Sequence, residues 1–178
     1  MEFEISKSVA FTGHRPNKLG GYNENNPIMI TVKEVLSKTI DELIAEGYTH
    51  FISGMAIGVD MVAAELVLEK RKKDPNIFLI CAVPFEGQEN LWPEPIKKRY
   101  FDILNQADEV VYISYPGYAG WKMQKRNEWM VDHANVIVAV WDGTKGGTEN
   151  CVKYAFEAPH KPKVMNVYPF KSRGESIE

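Results

Sequence analysis

A chain of 178 residues with 44% apolar and 25% charged side chains has the length of one domain and the composition of an ordinary globular protein. A net charge of −3 excludes a dominant basic nucleic-acid surface, leaving room for a local basic cleft, and no run reaches the apolar length of a membrane span. The two cysteines, Cys81 and Cys151, make neither a disulfide framework nor a metal-ligand spacing. Their apolar surroundings read as reduced structural thiols and point to the cytoplasm. The opening MEFEISKSVAF has two acids and no long apolar run, unlike a secretory signal.

Short apolar runs alternate with amphipathic ones. SVAF (8–11), THFIS (49–53), IFLICAV (77–83), EVVYIS (109–114), NVIVAV (135–140) and KVMNV (163–167) read as six strands. Several are continuously apolar, as parallel strands covered on both faces are. Between them, Ile28, Val32, Val35, Leu36, Ile40, Leu43 and Ile44 recur at helical spacing until Gly47, and Val62, Ala63, Leu66 and Val67 form a second stripe within 58–72. Weaker helical patterns cover 95–106, 122–133 and 149–157. The alternation predicts a single α/β three-layer domain over 1–170, with a mainly parallel sheet of about six strands, right-handed crossovers and a flexible tail over 171–178.

In open parallel sheets ligands bind beyond the carboxyl ends of the strands, so the residues just after each apolar run carry the information. The first strand opens onto TGHRPNKLGGYN, the second onto SGMAIGVDMVAAE (53–65), and the fifth runs into AVWDGTKGGTENCVKYA (139–155). Gly54, Ala56 and Gly58 allow close backbone approach, and Gly146, Gly147 and Thr148 at a strand-to-helix junction have the chemistry of a phosphate cradle. Neither loop is a Walker loop or a strict GxGxxG fingerprint, and a glycine-rich turn alone is often only a turn. Two such loops in one small domain favour a nucleotide-like ligand.

SGMAIGVDMVAAELVL resembles the SGxAxGxDxxA segment of DprA-like proteins, and RNEWMVDHANVIVAVWDGTKGGTENCVKYA resembles the corresponding segment of YpsA-like proteins. TGHRP, PFEGQENLW (84–92) and the RY at 99–100 also look like the YpsA-like branch. Both groups belong to the Rossmann-like SLOG superfamily, which includes the LOG phosphoribohydrolases. The resemblance spans Thr12 to about Ala155 and implies a nucleotide-derived ligand, such as ADP-ribose, cyclic ADP-ribose or a nucleoside phosphate. It also implies a dimer or higher homo-oligomer, with no cofactor and no metal required. The expected ligand contacts are Thr12, Gly13, His14 and Arg15; Gly54, Met55, Ala56, Gly58 and Asp60; Pro84, Phe85 and Gln88; Arg126 and Asn127; and Asp142, Gly146, Gly147 and Thr148.

Three functions compete. In the first, the protein binds its ligand as a sensor or sequestering protein. In the second, it is a LOG-like nucleotide N-glycosidase with Arg126 and either Glu149 or Asp60 as catalytic groups, because an oxocarbenium-like state calls for a nearby carboxylate. LOG enzymes carry PGGxGTxxE; here the loop is GTKGGTENC, and Glu149 stands one place before the enzymes' first Glu, a rotation of roughly 100° on a helix. In the third, Lys97, Lys98, Arg99, Lys122, Lys125 and Arg126 form a single-strand DNA track, which the net acidity disfavours. Several residues keep two readings. Arg126 is a solvated helix residue or a phosphate partner, and Asp60 is a helix-start acid or a ribose acceptor. His14 is a ligand contact, a pH-dependent contact or a packed loop histidine. Trp92 and Tyr118, after the third and fourth strands, join Phe85 and Gln88 as base-pocket candidates.

Overall fold

The two longest uninterrupted apolar runs, in IFLICAV and NVIVAV, form strands inside the sheet rather than at its edges. In the computed structural model, which describes residues 4–171, the strands are β1 (Ser8–Gly13), β2 (His50–Ser53), β3 (Phe78–Phe85), β4 (Glu109–Ser114), β5 (Val136–Val140) and β6 (Lys163–Asn166). They pair in the order β4-β3-β2-β1-β5-β6, every pair parallel. β5 is buried along its whole length, β1 and β3 along all but one residue, whereas the edge strands β4 and β6 stay partly exposed. The tail expected from 171 onward lies, after Lys171, outside the described residues.

Helices α1 (Pro27–Ala45), α2 (Val59–Lys73) and α3 (Glu94–Gln106) share one core with one face of the sheet. α4 (Gly120–Asp132) and α5 (Gly147–Glu157) pack on the other. This is the three-layer α/β arrangement that the alternation predicts. All five helices fall within two residues of the expected ranges. α1 starts where the Asn26 side chain accepts the Met29 amide at 2.9 Å, with Pro27 beginning the first turn. α2 is the central helix of its layer: every residue from Val59 to Ala64, its first turn and a half, is buried, Asp60 included.

The chain steps outward from β1 to β4, and α4 then carries it back across the opposite face to β5, beside β1. Crossovers therefore leave β1 and β5 in opposite directions, opening a crevice at their carboxyl ends. Tight contacts hold the loops around it. The Val59 amide donates to the His14 carbonyl at 3.3 Å, and the His14 amide to the Val140 carbonyl at 3.3 Å. Gly58, at φ +109°, would bring an added Cβ to 2.5 Å from the His14 carbonyl oxygen. Gly58→Ala is therefore expected to cost about 3 kcal/mol in urea denaturation, combining backbone strain with a backbone clash. Gly21→Ala, at φ +98° with open space around it, should cost only about 1 kcal/mol.

Candidate functional site at the switch point

A polar cleft of about 210 Å³ opens between the ends of β1 and β5. Thr12, Gly13, His14 and Arg15 wall it from β1, Ala56 and Asp60 from the start of α2, Arg126 and Asn127 from α4, and Gly146, Gly147 and Thr148 from the start of α5. Eleven expected residues, from four separate stretches of chain, thus meet in one place. Phe85 and Gln88 line a second cavity next to it. Gly54, Met55, Gly58, Pro84 and Asp142 line neither.

Those five shape the site from behind. A Cβ on Gly54 would come within 2.6 Å of the Arg126 guanidinium. Met55 takes the left-handed conformation, φ 59°, and its carbonyl accepts the Gln88 side chain at 3.1 Å. Pro84 is buried within β3. Asp142 is buried under His14, whose Nε2 lies 2.8 Å from Asp142 Oδ1 and 2.9 Å from the Asp142 amide nitrogen. The glycines consequently divide by role. Gly13 meets Val59, Gly54 meets Arg126 and Gly58 meets His14, all as packing within the protein rather than openings for a ligand. Gly146 and Gly147 meet nothing within 4 Å, leaving the first turn of α5 open to the cleft.

Arg126 is a buried side chain, not a solvated one. Its guanidinium donates to the Gly54 carbonyl and, through Nε, to Asn127 Oδ1 at 3.0 Å, and lies 4.0 Å from Asp60. Burial lowers its pKa from the ordinary arginine value, while Asp60 opposes that shift. Burial raises the Asp60 carboxyl above its ordinary value, against the opposing pull of Arg126 and of the Ala56 amide, which donates to it at 3.2 Å. Asp60 is the only acidic residue among those lining the cleft, against three cations: Arg126, Arg15 and Lys18. Arg15 is exposed, with no side-chain hydrogen bond or ion pair among the described residues. Lys18 reaches Thr144 Oγ1 at 2.5 Å and the Lys145 carbonyl at 3.3 Å, neutral acceptors that leave its charge uncancelled. The cleft therefore carries surplus positive potential beside free helix-start amides, a setting that attracts an anion.

The adjoining cavity is larger, about 400 Å³, and aromatic. Phe85, Trp92 and Tyr118 line it, Phe85 and Tyr118 in an edge-to-face pair at 6.2 Å. Arg15 and Met123 line both cavities, so the two adjoin. Buried Lys122 secures the loop that carries Tyr118, its ammonium donating to the carbonyls of Tyr115 at 2.8 Å and Gly117 at 2.6 Å. Asn17, Lys18 and Met123 were not singled out from the sequence. Met123 had a signal: it heads the stripe Met123, Arg126, Asn127, Met130, Val131, whose two polar members occupy inward helix positions.

Other expectations resolve differently. Glu149 does not line the cleft; its carboxylate accepts Lys153 at 3.0 Å, one turn along α5. Of the basic track, Lys122 and Arg126 are buried, Arg99 is clamped between Glu24 and Glu65, and Lys98 pairs with Asp102 at 2.9 Å. Cys81 and Cys151 are buried free thiols, burial pushing them up to about 12 and about 11. Among the described residues no group of three His, Cys, Asp or Glu side chains is placed to hold a metal ion, and no helix is long and apolar enough to cross a membrane.

The parallel sheet with its cleft at the switch point defines a Rossmann-like α/β protein. Within that class the chain belongs to the YspA SLOG family, whose YpsA model matches residues 9–172. It is 42% identical over 142 residues to the SPbeta prophage-derived protein YoqJ of Bacillus subtilis strain 168, covering 73% of this chain and 83% of that one. A UPF0398 protein of Halalkalibacterium halodurans is 30% identical over 166 residues, covering 93% and 86%. Among solved structures, DNA processing protein A of Streptococcus pneumoniae shares the fold with a TM-score of 0.63 at 18% identity, covering 89% of this chain. This chain spans about half of that protein (49%). DNA processing protein A of Helicobacter pylori, described for its single-stranded DNA binding mode, gives 0.61 at 18% identity, covering 90% of this chain and 64% of that one.

The support beneath the cleft titrates in a testable way. Burial alone would raise the Asp142 carboxyl, but hydrogen bonds from the Thr144 hydroxyl and amide, with His14 beside it, hold it below the ordinary value. A depressed carboxylate adds stability that is present above its unfolded pKa and lost as pH falls through the folded one. Asp142→Asn should therefore unfold at lower urea than wild type at pH 7, and the gap should narrow as pH drops below the ordinary carboxylate range.

Proposed function

We propose that the protein binds a nucleotide-derived small molecule across the two adjoining cavities, as a sensor or sequestering protein. The carrying observation is their adjacency: an open, cation-rich helix start lies beside an aromatic cavity, with Arg15 and Met123 lining both. A phosphate would take the amides of Gly147 and Thr148, with Arg15 and Lys18 supplying charge. The ribose would lie toward Asp60 and Asn127, and a base among Phe85, Trp92 and Tyr118, where stacking and edge contacts are sequence-tolerant but chemically demanding.

Binding is a better fit than cleavage. The only carboxylate in the cleft, Asp60, already accepts the Ala56 amide and faces Arg126, and Glu149 is turned to Lys153. Five of the six basic side chains of the track, all but exposed Lys125, are paired or buried, which likewise favours a small ligand over a DNA strand.

Calorimetry with AMP, ADP-ribose, cyclic ADP-ribose and NAD tests the reading, alongside an assay for free base. Binding of at least one nucleotide without base release is expected; no binding to any, or release of base, overturns it. Arg15→Ala should weaken the ligand about 10- to 100-fold, as loss of a charge-assisted contact does, with little change in the unliganded thermal midpoint. Gly147→Val should abolish binding by filling the cradle while shifting stability by no more than about 0.5 kcal/mol.

A further inference from the structure

The two edges of the sheet are built differently. β6 has four residues, begins with exposed Lys163 and ends at exposed Asn166, whose amide brackets the backbone of Trp141 through bonds of 3.2 and 3.0 Å. β4 has six, bears one charge, Glu109, at its first position, and leaves Tyr112 49% exposed. The outward row of amides and carbonyls along 110–114 has no hydrogen-bond partner among the described residues. Edges are normally blunted by Lys, Pro, a bulge or a cover, and β4 shows none of these. The one buried side-chain oxygen lacking a hydrogen bond among the described residues, Glu109 Oε2, belongs to the same strand.

We propose that β4 pairs antiparallel with β4 of a second copy of this chain, about a two-fold axis perpendicular to the sheet. The strand is complementary to its own reverse. Val110 packs toward the α3 side, and Val111 and Ile113 toward the α4 side. Such an axis keeps each face continuous, so partners must come from the same face. Centring it on Tyr112 sets Tyr112 against Tyr112, Val111 against Ile113 and Val110 against Ser114. No like charges meet, and Glu109 comes opposite Tyr115 of the second copy, a phenol able to donate to it. Centring on Val111 would instead press Glu109 against Ile113. Exposed Tyr115 and Trp121 flank the strand and extend the seam with aromatic surface. The pairing needs no ligand and stands independently of the nucleotide reading.

Sedimentation equilibrium of the full chain is expected to give a species of about 40 kDa, twice the 20.2 kDa of the chain. Tyr112→Lys and Tyr112→Glu each place like charges on the axis, and each should run as a folded monomer by circular dichroism and mass. Mixed one to one, they should regain the dimer mass, since lysine then meets glutamate; that recovery also shows that both variants fold. A wild-type monomer at all concentrations, dimers in both single variants, or a mixture that stays monomeric overturns the proposal. So does a dimer that a peptide spanning residues 109–114 cannot compete away.

Discussion

A guanidinium taken almost completely out of water organises this protein. A buried cation demands that its surroundings answer it, and Arg126 is answered from three directions: the Gly54 carbonyl after β2, the Asp60 carboxylate on α2, and the neighbouring amide of Asn127. Since α4 returns over the far face of the sheet, this one side chain ties the two helical layers together at the crevice. Gly54 has no side chain because the guanidinium occupies that space. The cleft is thus held in shape before anything enters it.

The support extends outward from that point. Asp142, fixed by Thr144 and His14, steadies the loop ahead of α5, and Lys18 joins Thr144 to the loop after β1. Arg99, held by Glu24 and Glu65, anchors the far end of the same β1–α1 loop. Lys122 fastens the Tyr118 loop through carbonyls while lying against the Tyr115 ring, 3.9 Å from its centroid. The charged groups nearest the cavities are largely committed to structure. Arg15 is the exception, and it stands where the two cavities join.

Much of this was legible in the sequence because the architecture depends on apolar periodicity. Continuous runs such as IFLICAV, too short for helices and set between amphipathic stretches, read as doubly covered strands, and two clear helical stripes with three weaker ones marked the five crossovers. The strand-end rule and the family resemblance together then placed eleven expected residues around one cleft, Arg126 and Asn127 by the resemblance. Burial of polar groups was not legible in the same way. KMQKRNEW looks like a solvated helix until tertiary packing turns Lys122, Arg126 and Asn127 inward. Their recurrence in line with Met123, Met130 and Val131 was the available sign. Glycines misled for a related reason: sequence shows that a side chain is absent but not which neighbour requires the absence. Gly13, Gly54 and Gly58 yield to protein atoms, and of the expected site glycines only Gly146 and Gly147 face open space.

That division has an evolutionary meaning. The glycines behind the cleft are bound to the integrity of the fold, so drift there is punished whatever the ligand. The pair at the head of α5 is different again: Gly147 could take a methyl or hydroxymethyl group with the scaffold undisturbed, whereas Gly146, at φ +149°, has the space but would incur backbone strain. A lineage carrying this fold could therefore reshape the mouth of the cleft at position 147 while keeping the same molecule standing.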